Sequence, residues 1–292
     1  MLRLLLLLQV LASCLWLGHS EVVNSFASYP KFSYRNTAPD NGLEPANPAW
    51  ICQRYNSSYH FASLYDKTLR IPVYSAYIYQ PGPGNRSKSQ FVEPQLIKPT
   101  YPRDMKTEKF LRKQYKISPQ QIGQSQAITQ DYKKLQGLDR GHLSPSGHQS
   151  GNNSKLATFT LTNIVPQNSS LNRGAWKDYE NQTMAQRTQG CKTTYVIMGA
   201  VPGNTSIANN RVNRPSHIWS AACCRTNTNM KTWAVIAENN KNQVQNLTLA
   251  QLEANLSQLC GRKNVSLFHS ACPRYQTSYS GWKRLGIFFH MS

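Results

Sequence analysis

The cysteines constrain the fold of this chain more than any other feature of its sequence. The chain contains seven, and Cys14 lies in an N-terminal segment with the layout of a secretory signal peptide, which is removed on export. The remaining six are Cys52, Cys191, Cys223, Cys224, Cys260 and Cys272. An even number of cysteines in an exported chain predicts disulfide bonds. Neighbouring side chains of a strand point to opposite faces, so we expect Cys223 and Cys224 to serve two different bridges.

Export is indicated by the first residues of the chain. Residues 1–20 combine a basic Arg3, an apolar run that begins at Leu4, and small residues before an expected cleavage after Ser20. This stretch is too short and too interrupted for a membrane anchor, and no later stretch reaches the roughly 18 apolar residues that a span requires. The sequence therefore predicts a secreted, extracellular protein without a membrane span. Asn-x-Ser/Thr sequons, which are compatible with glycosylation in the secretory pathway, begin at Asn56, Asn85, Asn152, Asn168, Asn181, Asn204, Asn246, Asn255 and Asn264.

Composition and periodicity divide the chain into three segments. After the signal peptide at 1–20, we expect residues 21–50, rich in Asn, Pro and Ser, to form an extended arm, and residues 51–292 to form one large domain. Aromatic and β-branched residues predict strands at 72–79, 157–162, 193–201, 217–222 and 231–237. Helices are predicted from Ser169 or Ser170 to Glu180, and from Thr248, where Gln251 completes a capping box. This order predicts an α+β fold with a mainly antiparallel sheet and flanking helices.

The charge of the chain points to a polyanionic partner. Lys and Arg number 33 against 13 Asp and Glu, which gives a formal net charge of +20. Nucleic acid fits this charge, but so do a heparin-like polysaccharide, anionic lipid or a merely solvated basic surface. One basic set recurs at helical spacing and could form a ridge that tracks phosphates or a solvated face; it comprises Lys106, Lys109, Arg112, Lys113 and Lys116.

The tetrapeptide Asp139-Arg140-Gly141-His142 carries groups suited to phosphodiester cleavage. The reaction requires an activated water, and a histidine near its ordinary pKa of about 6.5 can act as the base near neutral pH. In an extended segment Arg140 and His142 fall on the same face. Gly141 between them would let the backbone approach a phosphate closely. The tetrapeptide therefore indicates a phosphate-handling site.

A second group of polar residues follows at Asn172 and Glu180. On a helix this spacing brings both residues near the same face, so both can look into one site. An amide oxygen and a carboxylate are hard oxygen ligands, which suit Mg²⁺ or Ca²⁺. The pair therefore indicates a divalent cation.

Three motifs in this order resemble the DNA/RNA non-specific endonuclease family of the ββα-metal superfamily. They are Asp139-Arg140-Gly141-His142, Thr162-Asn163-Ile164-Val165-Pro166-Gln167, and Leu171-Asn172-Arg173-Gly174-Ala175-Trp176 with Glu180. The exported form with its cysteines is most similar to the vertebrate endonuclease domain-containing 1 proteins. The resemblance implies that residues 51–292 form an endonuclease domain with a ββα-metal core. It also implies hydrolysis of DNA and RNA with little sequence preference, assisted by Mg²⁺ or another divalent cation such as Mn²⁺ or Ca²⁺.

The resemblance implies a role for each motif residue. His142 would be the general base, and Asn172 the one direct protein ligand of the metal. Glu180 would hold the metal through water and Arg140 would contact the scissile phosphate. Asn163 would sit beside the site and help to order it.

Other residues of the motifs carry less specific expectations. Asp139 is expected to fix the motif loop, and Arg173 to contact the substrate. The family often has an arginine one helical turn beyond the glutamate, where this chain has Met184, so Arg187 or Arg173 could replace it. His148, in a polar loop, is expected to be exposed. Tyr74, Tyr77 and Tyr79 alternate as residues of one strand face do, with base stacking as the alternative.

Two further classes of function compete with an enzyme. The same fold and basic surface could serve a catalytically weak protein that sequesters extracellular nucleic acid or glycosaminoglycan. An adhesion or opsonin-like protein, in which charge and glycans matter more than the cleft, is the other. Loss of His142 or Asn172 would have favoured the binding protein, and both residues are present. The sequence specifies no oligomeric state.

Overall fold

A computed structural model describes residues 22–23, 26, 30–87, 89–261 and 264–275, so the predicted signal peptide lies outside the described residues. The strands are β1 (Val22–Val23), β2 (Pro48–Tyr55), β3 (Ser58–Asp66), β4 (Ile71–Ile78), β5 (Leu138–His142), β6 (Ile164–Asn168), β7 (Thr193–Val201), β8 (Thr205–Ile207), β9 (Val212–Arg214), β10 (His217–Arg225), β11 (Met230–Glu238) and β12 (Gln245–Leu247). Eight of them form one antiparallel sheet in the order β1-β2-β3-β4-β7-β10-β11-β12. Two hairpins, β5-β6 and β8-β9, stand outside this sheet.

The helices are short and lie around the sheet. They are α1 (Glu108–Tyr115), α2 (Pro119–Ile122), α3 (Asn152–Ala157), α4 (Ser169–Arg173), α5 (Ala175–Asp178), α6 (Met184–Arg187) and α7 (Leu249–Leu259), with a π-helical turn at Tyr179–Thr183 between α5 and α6. The predicted α+β class with a mainly antiparallel sheet is confirmed. The β5-β6 hairpin runs directly into α4, which gives the ββα order expected of the core.

Two hydrophobic cores cover the two faces of the sheet. One contains Trp176 and Cys224, and the other contains Trp219 and Cys223. The neighbouring cysteines of β10 therefore point to opposite faces, as the alternation of a strand requires. Each forms its own bridge, Cys191–Cys224 on one side and Cys223–Cys272 on the other. Disulfides are thus present, and the prediction that Cys223 and Cys224 serve two bridges is confirmed.

The other two cysteines occupy different environments. Cys52 is buried in β2, and Cys260 is half-buried at the C-terminal end of α7. Helix α7 begins after Thr248, whose side chain forms the predicted capping box with Gln251. Its Leu252 is buried in the same core as Cys52, so this helix closes that face of the sheet.

Several strand predictions agree closely with the structure, and one is wrong. Residues 193–201 match β7, and 72–79 differ from β4 by one position at each end. Residues 157–162, however, form the end of α3, a turn and a short 3₁₀ helix. The hydroxyl groups of Thr160 and Thr162 donate to the buried Glu93 carboxylate at 2.7 and 3.2 Å. These side-chain hydrogen bonds take the place of a strand ladder.

The segment predicted to be an extended arm packs against the domain. Its described part contains three 3₁₀ turns, at Pro30–Phe32, Tyr34–Asn36 and Asn41–Leu43. Phe26, Phe32 and Leu43 are buried in the core that also holds Trp219. Strand β2 already begins at Pro48. Among the described residues, no helix has the length and apolar character needed to cross a bilayer.

Candidate active site

The β5-β6 hairpin positions the Asp139 to His142 motif. His142 lies opposite Ile164, and Gly141 lies opposite Val165. A Cβ atom on Gly141 would overlap the side chain of Gln167, which is itself buried. The glycine is therefore required by packing inside the hairpin, whereas the sequence had suggested close approach to a phosphate.

His142 has the environment of a neutral base. Its ring makes an edge contact with Phe159 at a centroid distance of 4.9 Å, and its Nε2 has no hydrogen-bond partner among the described residues. Burial first, and then the positive charges of Arg86 and Arg140, lower the pKa of His142 to about 4, although a hydrogen bond with the Arg140 backbone opposes the shift. The imidazole is therefore unprotonated at neutral pH, and its buried Nε2 is not occupied by a hydrogen bond within the described part of the protein.

Asp139 links the hairpin to helix α4. Its carboxylate accepts hydrogen bonds from Ser169 Oγ at 3.0 Å, from Asn172 Nδ2 at 3.1 Å, and from Arg173 Nε and Nη2 at 2.7 and 2.6 Å. These bonds, that of Arg173 first, hold the pKa of Asp139 below its usual range. The carboxylate thus joins the two motifs, as expected of a residue that fixes the motif loop.

The same contact orients Asn172. Because Nδ2 donates to Asp139, the amide oxygen points away from that carboxylate. Among the described residues this oxygen accepts no hydrogen bond, so it remains available as a ligand. A neutral amide oxygen suits a hard divalent cation. The geometry therefore fits the metal-ligand role expected of Asn172.

Arg173, expected to contact the substrate, is paired with Asp139 through two hydrogen bonds. Its side chain is 74% exposed, so one edge of the guanidinium still faces solvent. Arg140 donates from Nη2 to the Tyr132 carbonyl at 3.4 Å and lies over the Tyr132 ring. Its Nε has no partner among the described residues. Of the two arginines, Arg140 is the one whose charge lowers the pKa of His142.

Asn163 orders the backbone that follows His142. It is fully buried, and its Oδ1 accepts from Ser144 N and Ser75 Oγ at 2.8 and 2.9 Å. Its Nδ2 donates to the carbonyl groups of Ser144 and Thr158 at 3.0 and 2.9 Å. With both amide atoms engaged, Asn163 holds the loop in place and is not free for substrate.

Glu180 lies on the π-helical turn Tyr179–Thr183. Burial raises the pKa of its carboxyl to about 8, and this shift is opposed by the indole of Trp176 and by the charge of Arg86. Because π-turns are uncommon inside helices and are frequent at functional sites, the π-turn indicates that Glu180 belongs to a functional site. An incoming cation would favour the charged carboxylate, so the group fits a water-mediated contact to a metal.

His148 is buried, which corrects the expectation that it is exposed. Its Nε2 donates to the carbonyl of Glu180 at 2.8 Å, so its Nδ1 is the acceptor for the Tyr77 hydroxyl, also at 2.8 Å. Burial lowers the pKa of His148 to about 4, which keeps this arrangement neutral. The polar sequence around His148 concealed its role because the loop folds under the π-turn and not into solvent.

Arg86 belongs to the site and was missed by the sequence motifs. It lies in the loop after β4, exposed, with its guanidinium 5.6 Å from the centre of the Phe159 ring. Its positive charge lowers the pKa of both His142 and Glu180, so Arg86 lies near both groups. The sequence shows only that Arg86 lies in a Gly- and Pro-rich loop, and this loop matches no motif.

The position of the family arginine is filled by a core residue. Met184 is fully buried in the core that contains Trp176. Arg187, one candidate replacement, donates to the Asn246 side chain at 2.9 Å. Arg86 therefore provides the additional positive charge that the helix does not provide.

Comparisons with known proteins identify the family of the chain. Residues 38–273 match the sequence model of the DNA/RNA non-specific endonucleases. The endonuclease domain-containing 1 protein of Homo sapiens is 32% identical over 204 residues, covering 68% of this chain and 39% of the relative. That of Mus musculus is 33% identical over 207 residues with the same coverages. The match thus spans about two fifths of the length of these relatives.

A solved structure shows the same fold. A chain in the crystal structure of the EndoG/EndoGI complex superposes with a TM-score of 0.51 at 19% identity, covering 72% of this chain and 83% of that chain. Identity this low speaks for the fold alone, whereas the family model covers most of the sequence. This chain belongs to the DNA/RNA non-specific endonuclease family.

Proposed function

We propose that this chain is a secreted, divalent-metal-dependent endonuclease that hydrolyses DNA and RNA phosphodiester bonds with little sequence preference. One observation carries the proposal. His142 is neutral with an Nε2 that is unpaired among the described residues, and both it and Glu180 feel the charge of Arg86, while Asp139 on the same strand holds Asn172 with its amide oxygen turned away from that carboxylate. A base, a hard-oxygen donor set and fixed cations are the groups that phosphodiester hydrolysis requires.

His142 takes the proton from the attacking water. In the free protein its low pKa makes it a weak base, because Arg86 and Arg140 add to the effect of burial. A bound phosphodiester neutralises these cations, so the pKa of His142 rises toward neutrality when the substrate is present. The base is therefore strongest in the complex in which it is used, as efficient proton transfer requires.

Asn172 and Glu180 would hold the divalent cation, Asn172 directly and Glu180 through water. When bound, the cation supplies positive charge that stabilises the reacting phosphate and its leaving oxygen. Asp139 orients the Asn172 amide for this purpose. Arg140 and Arg86 bind the phosphate oxygens, because fixed cations in a shielded site stabilise charge more strongly than they do in water.

Nicking of supercoiled plasmid by the purified protein tests the proposal, with and without EDTA. We expect nicking that requires a divalent cation and leaves no strong sequence pattern, because phosphate and metal contacts carry no base information. Full activity in excess chelator would refute metal dependence. No cleavage of DNA or RNA, with tight binding retained, would instead favour the catalytically weak binding protein.

Two variants separate the base from the metal ligand. His142→Ala should lower the rate by about 10² to 10⁴, the usual worth of a general base, keep metal-dependent binding of uncut DNA, and recover partly at high pH. Asn172→Ala should weaken Mg²⁺ binding, and its rate should not recover at high pH, because a metal ligand is lost. His217→Ala and Asn227→Ala, an exposed residue in the turn between β10 and β11, are matched controls outside these motifs.

Secretion rests on the signal-like sequence and the two disulfides. Expression of the full chain in cultured animal cells should release protein that begins at Glu21. Retention of the uncleaved chain inside the cells would contradict this part of the proposal.

A further inference from the structure

Helix α1 presents aromatic rings at the surface. Phe110 is 36% exposed and Tyr115 is 41% exposed, and the centres of their rings are 6.3 Å apart. Tyr101 extends the group, with its ring 5.2 Å from that of Tyr115. Large rings at the surface of an exported protein are unfavourable in water. These three rings, here called the α1 ring cluster, are therefore candidates for contact with a ligand.

Cations border the α1 ring cluster. Lys109, Arg112 and Lys113 are exposed and fall on one side of α1, because residues three and four apart share a helix face. Among the described residues, no carboxylate forms an ion pair with any of them. The acidic residue of α1, Glu108, instead accepts a hydrogen bond from the Thr129 backbone N–H at 2.6 Å. The face therefore combines uncompensated positive charge with aromatic surface.

Two further lysines lie against the rings themselves. The ammonium group of Lys106 lies 5.3 Å from the centre of the Phe110 ring, and that of Lys98 lies 5.9 Å from the centre of the Tyr101 ring. Positive groups at this distance from a ring are held by its negative face. Cations and rings are thus interleaved and not segregated.

This surface is close to the active site along the backbone. Phe91 N–H donates to the Phe159 carbonyl at 3.0 Å, and the next residue, Val92, forms paired hydrogen bonds with Lys106. Lys106 is thus separated from the Phe159 backbone by two strand spacings, about 10 Å. Helix α1 also packs, through Leu111, into the hydrophobic core that contains Trp176. A strand leaving the active site can reach α1 within a few nucleotides.

We propose that the α1 ring cluster and its bordering cations bind a single-stranded segment of nucleic acid outside the active site. Unpaired bases expose faces that stack on aromatic rings, while cations follow the phosphates. In a duplex the bases already stack on one another. A sulfated polysaccharide would match the cations but not the rings. The proposal concerns binding alone, so it is independent of whether the site cuts.

The test uses the full chain carrying His142→Ala, so that nucleic acid is not consumed. Fluorescence anisotropy would measure binding to a 12-mer of thymidine, a 12-mer of uridine, a duplex hairpin and heparin. The double variant Phe110→Leu with Tyr115→Leu should weaken binding of both single strands by about tenfold, since stacking contributes strongly for each base. Binding of the duplex and of heparin should change by less than about twofold. A second double variant, Phe110→Tyr with Tyr115→Phe, keeps both rings and should bind as the parent does.

A charge-matched pair tests the cations. Arg112→Gln with Lys113→Gln should make the dependence of log affinity on log salt shallower by about 1.4, because about 0.7 per phosphate contact is expected for single strands. Lys192→Gln with Arg225→Gln removes two exposed cations, one just before β7 and one at the end of β10, and should leave the slope nearly unchanged.

Three outcomes would overturn the proposal directly, and a fourth would do so by showing a packing effect. They are an aromatic variant that binds single strands as the parent does, equal losses for single strands and duplex, and equal slopes for the two charge variants. Loss of binding in the ring-keeping variant would show a packing effect and also count against it. If the protein proves not to cleave nucleic acid, these tests remain valid, because they measure binding and not cleavage.

Discussion

The hydrogen-bond chain from Tyr77 through His148 to Glu180 can be cut on either side of the imidazole. A glutamine amide reaches about as far as Nε2 of histidine, whereas an asparagine amide reaches only as far as Nδ1. His148→Gln should therefore keep a donor for the Glu180 carbonyl, and His148→Asn should keep only the partner of the Tyr77 hydroxyl. The two variants test whether His148 positions Glu180 or merely fills space.

The expected magnitudes follow from the contacts. Leaving the Glu180 carbonyl without a buried donor costs about 1 to 3 kcal/mol, and the π-turn can recover part of this by moving. Loss of an outer partner of a metal site typically costs about 10- to 100-fold in metal affinity or activity. We expect this loss in His148→Asn, together with a higher Mg²⁺ concentration for half-maximal rate. His148→Gln should stay within a few-fold of the parent.

Single-turnover nicking across a Mg²⁺ titration measures the effect, and thermal unfolding of each variant controls for stability. Tyr77→Phe, which removes the hydroxyl but leaves the donor to Glu180 in place, should resemble His148→Gln in its Mg²⁺ dependence. Equal Mg²⁺ dependence in His148→Asn and the parent would refute the positioning role. Equal losses of Mg²⁺ affinity in both His148 variants, at equal thermal stability, would refute it too, because a side chain that only fills space would give the same result.

Three further predictions concern charge, pH and the disulfides. Arg86→Ala should lower the cleavage rate about 10²-fold, the typical effect of losing one group that stabilises transition-state charge, while Arg86→Lys should retain more activity; equal rates would remove Arg86 from the site. The folded protein keeps His148 neutral down to about pH 4, whereas the unfolded chain gains this proton near pH 6.5. The contribution of His148 to stability is therefore complete above about pH 6.5 and falls by up to about 3 kcal/mol toward pH 4. Urea unfolding should show this loss, and His148→Gln should reduce it. Removal of the Cys191–Cys224 bridge by a double Cys→Ala change should lower stability by about 2 to 5 kcal/mol, and an unchanged Tm would contradict a structural role.

Much of the site was predictable because its motifs are contiguous in sequence. Asp139 to His142 falls on one strand, Asn172 on the adjoining helix, and the two are joined by a side-chain contact that needs no distant segment. Strand β7 was also predictable, because its run of β-branched and apolar residues is buried on both faces. In such elements the local pattern and the tertiary environment favour the same structure.

The elements that escaped prediction depend on distant partners or on unusual turns. The β2-β3 hairpin turns at Asn56 and Ser57, both with positive φ, and Asn-Ser is a weaker signal for such a turn than Asn-Gly. Residues 157–162 alternate like a strand, but their threonine hydroxyls bind Glu93, which lies far away in sequence. His148 likewise became buried because Tyr77 and the Glu180 carbonyl satisfy both of its nitrogens.

The π-turn explains why this chain has a methionine where its family often has an arginine. In a regular helix a residue four positions after Glu180 would share its face and look into the site. The turn at Tyr179–Thr183 closes i→i+5 hydrogen bonds, so the extra residue rotates Met184 into the core and leaves Ala185 exposed. An arginine at position 184 would place a charge among apolar side chains, at a large cost in free energy. The cation must then come from another element, and the loop after β4 carries Arg86, whose charge acts on both His142 and Glu180.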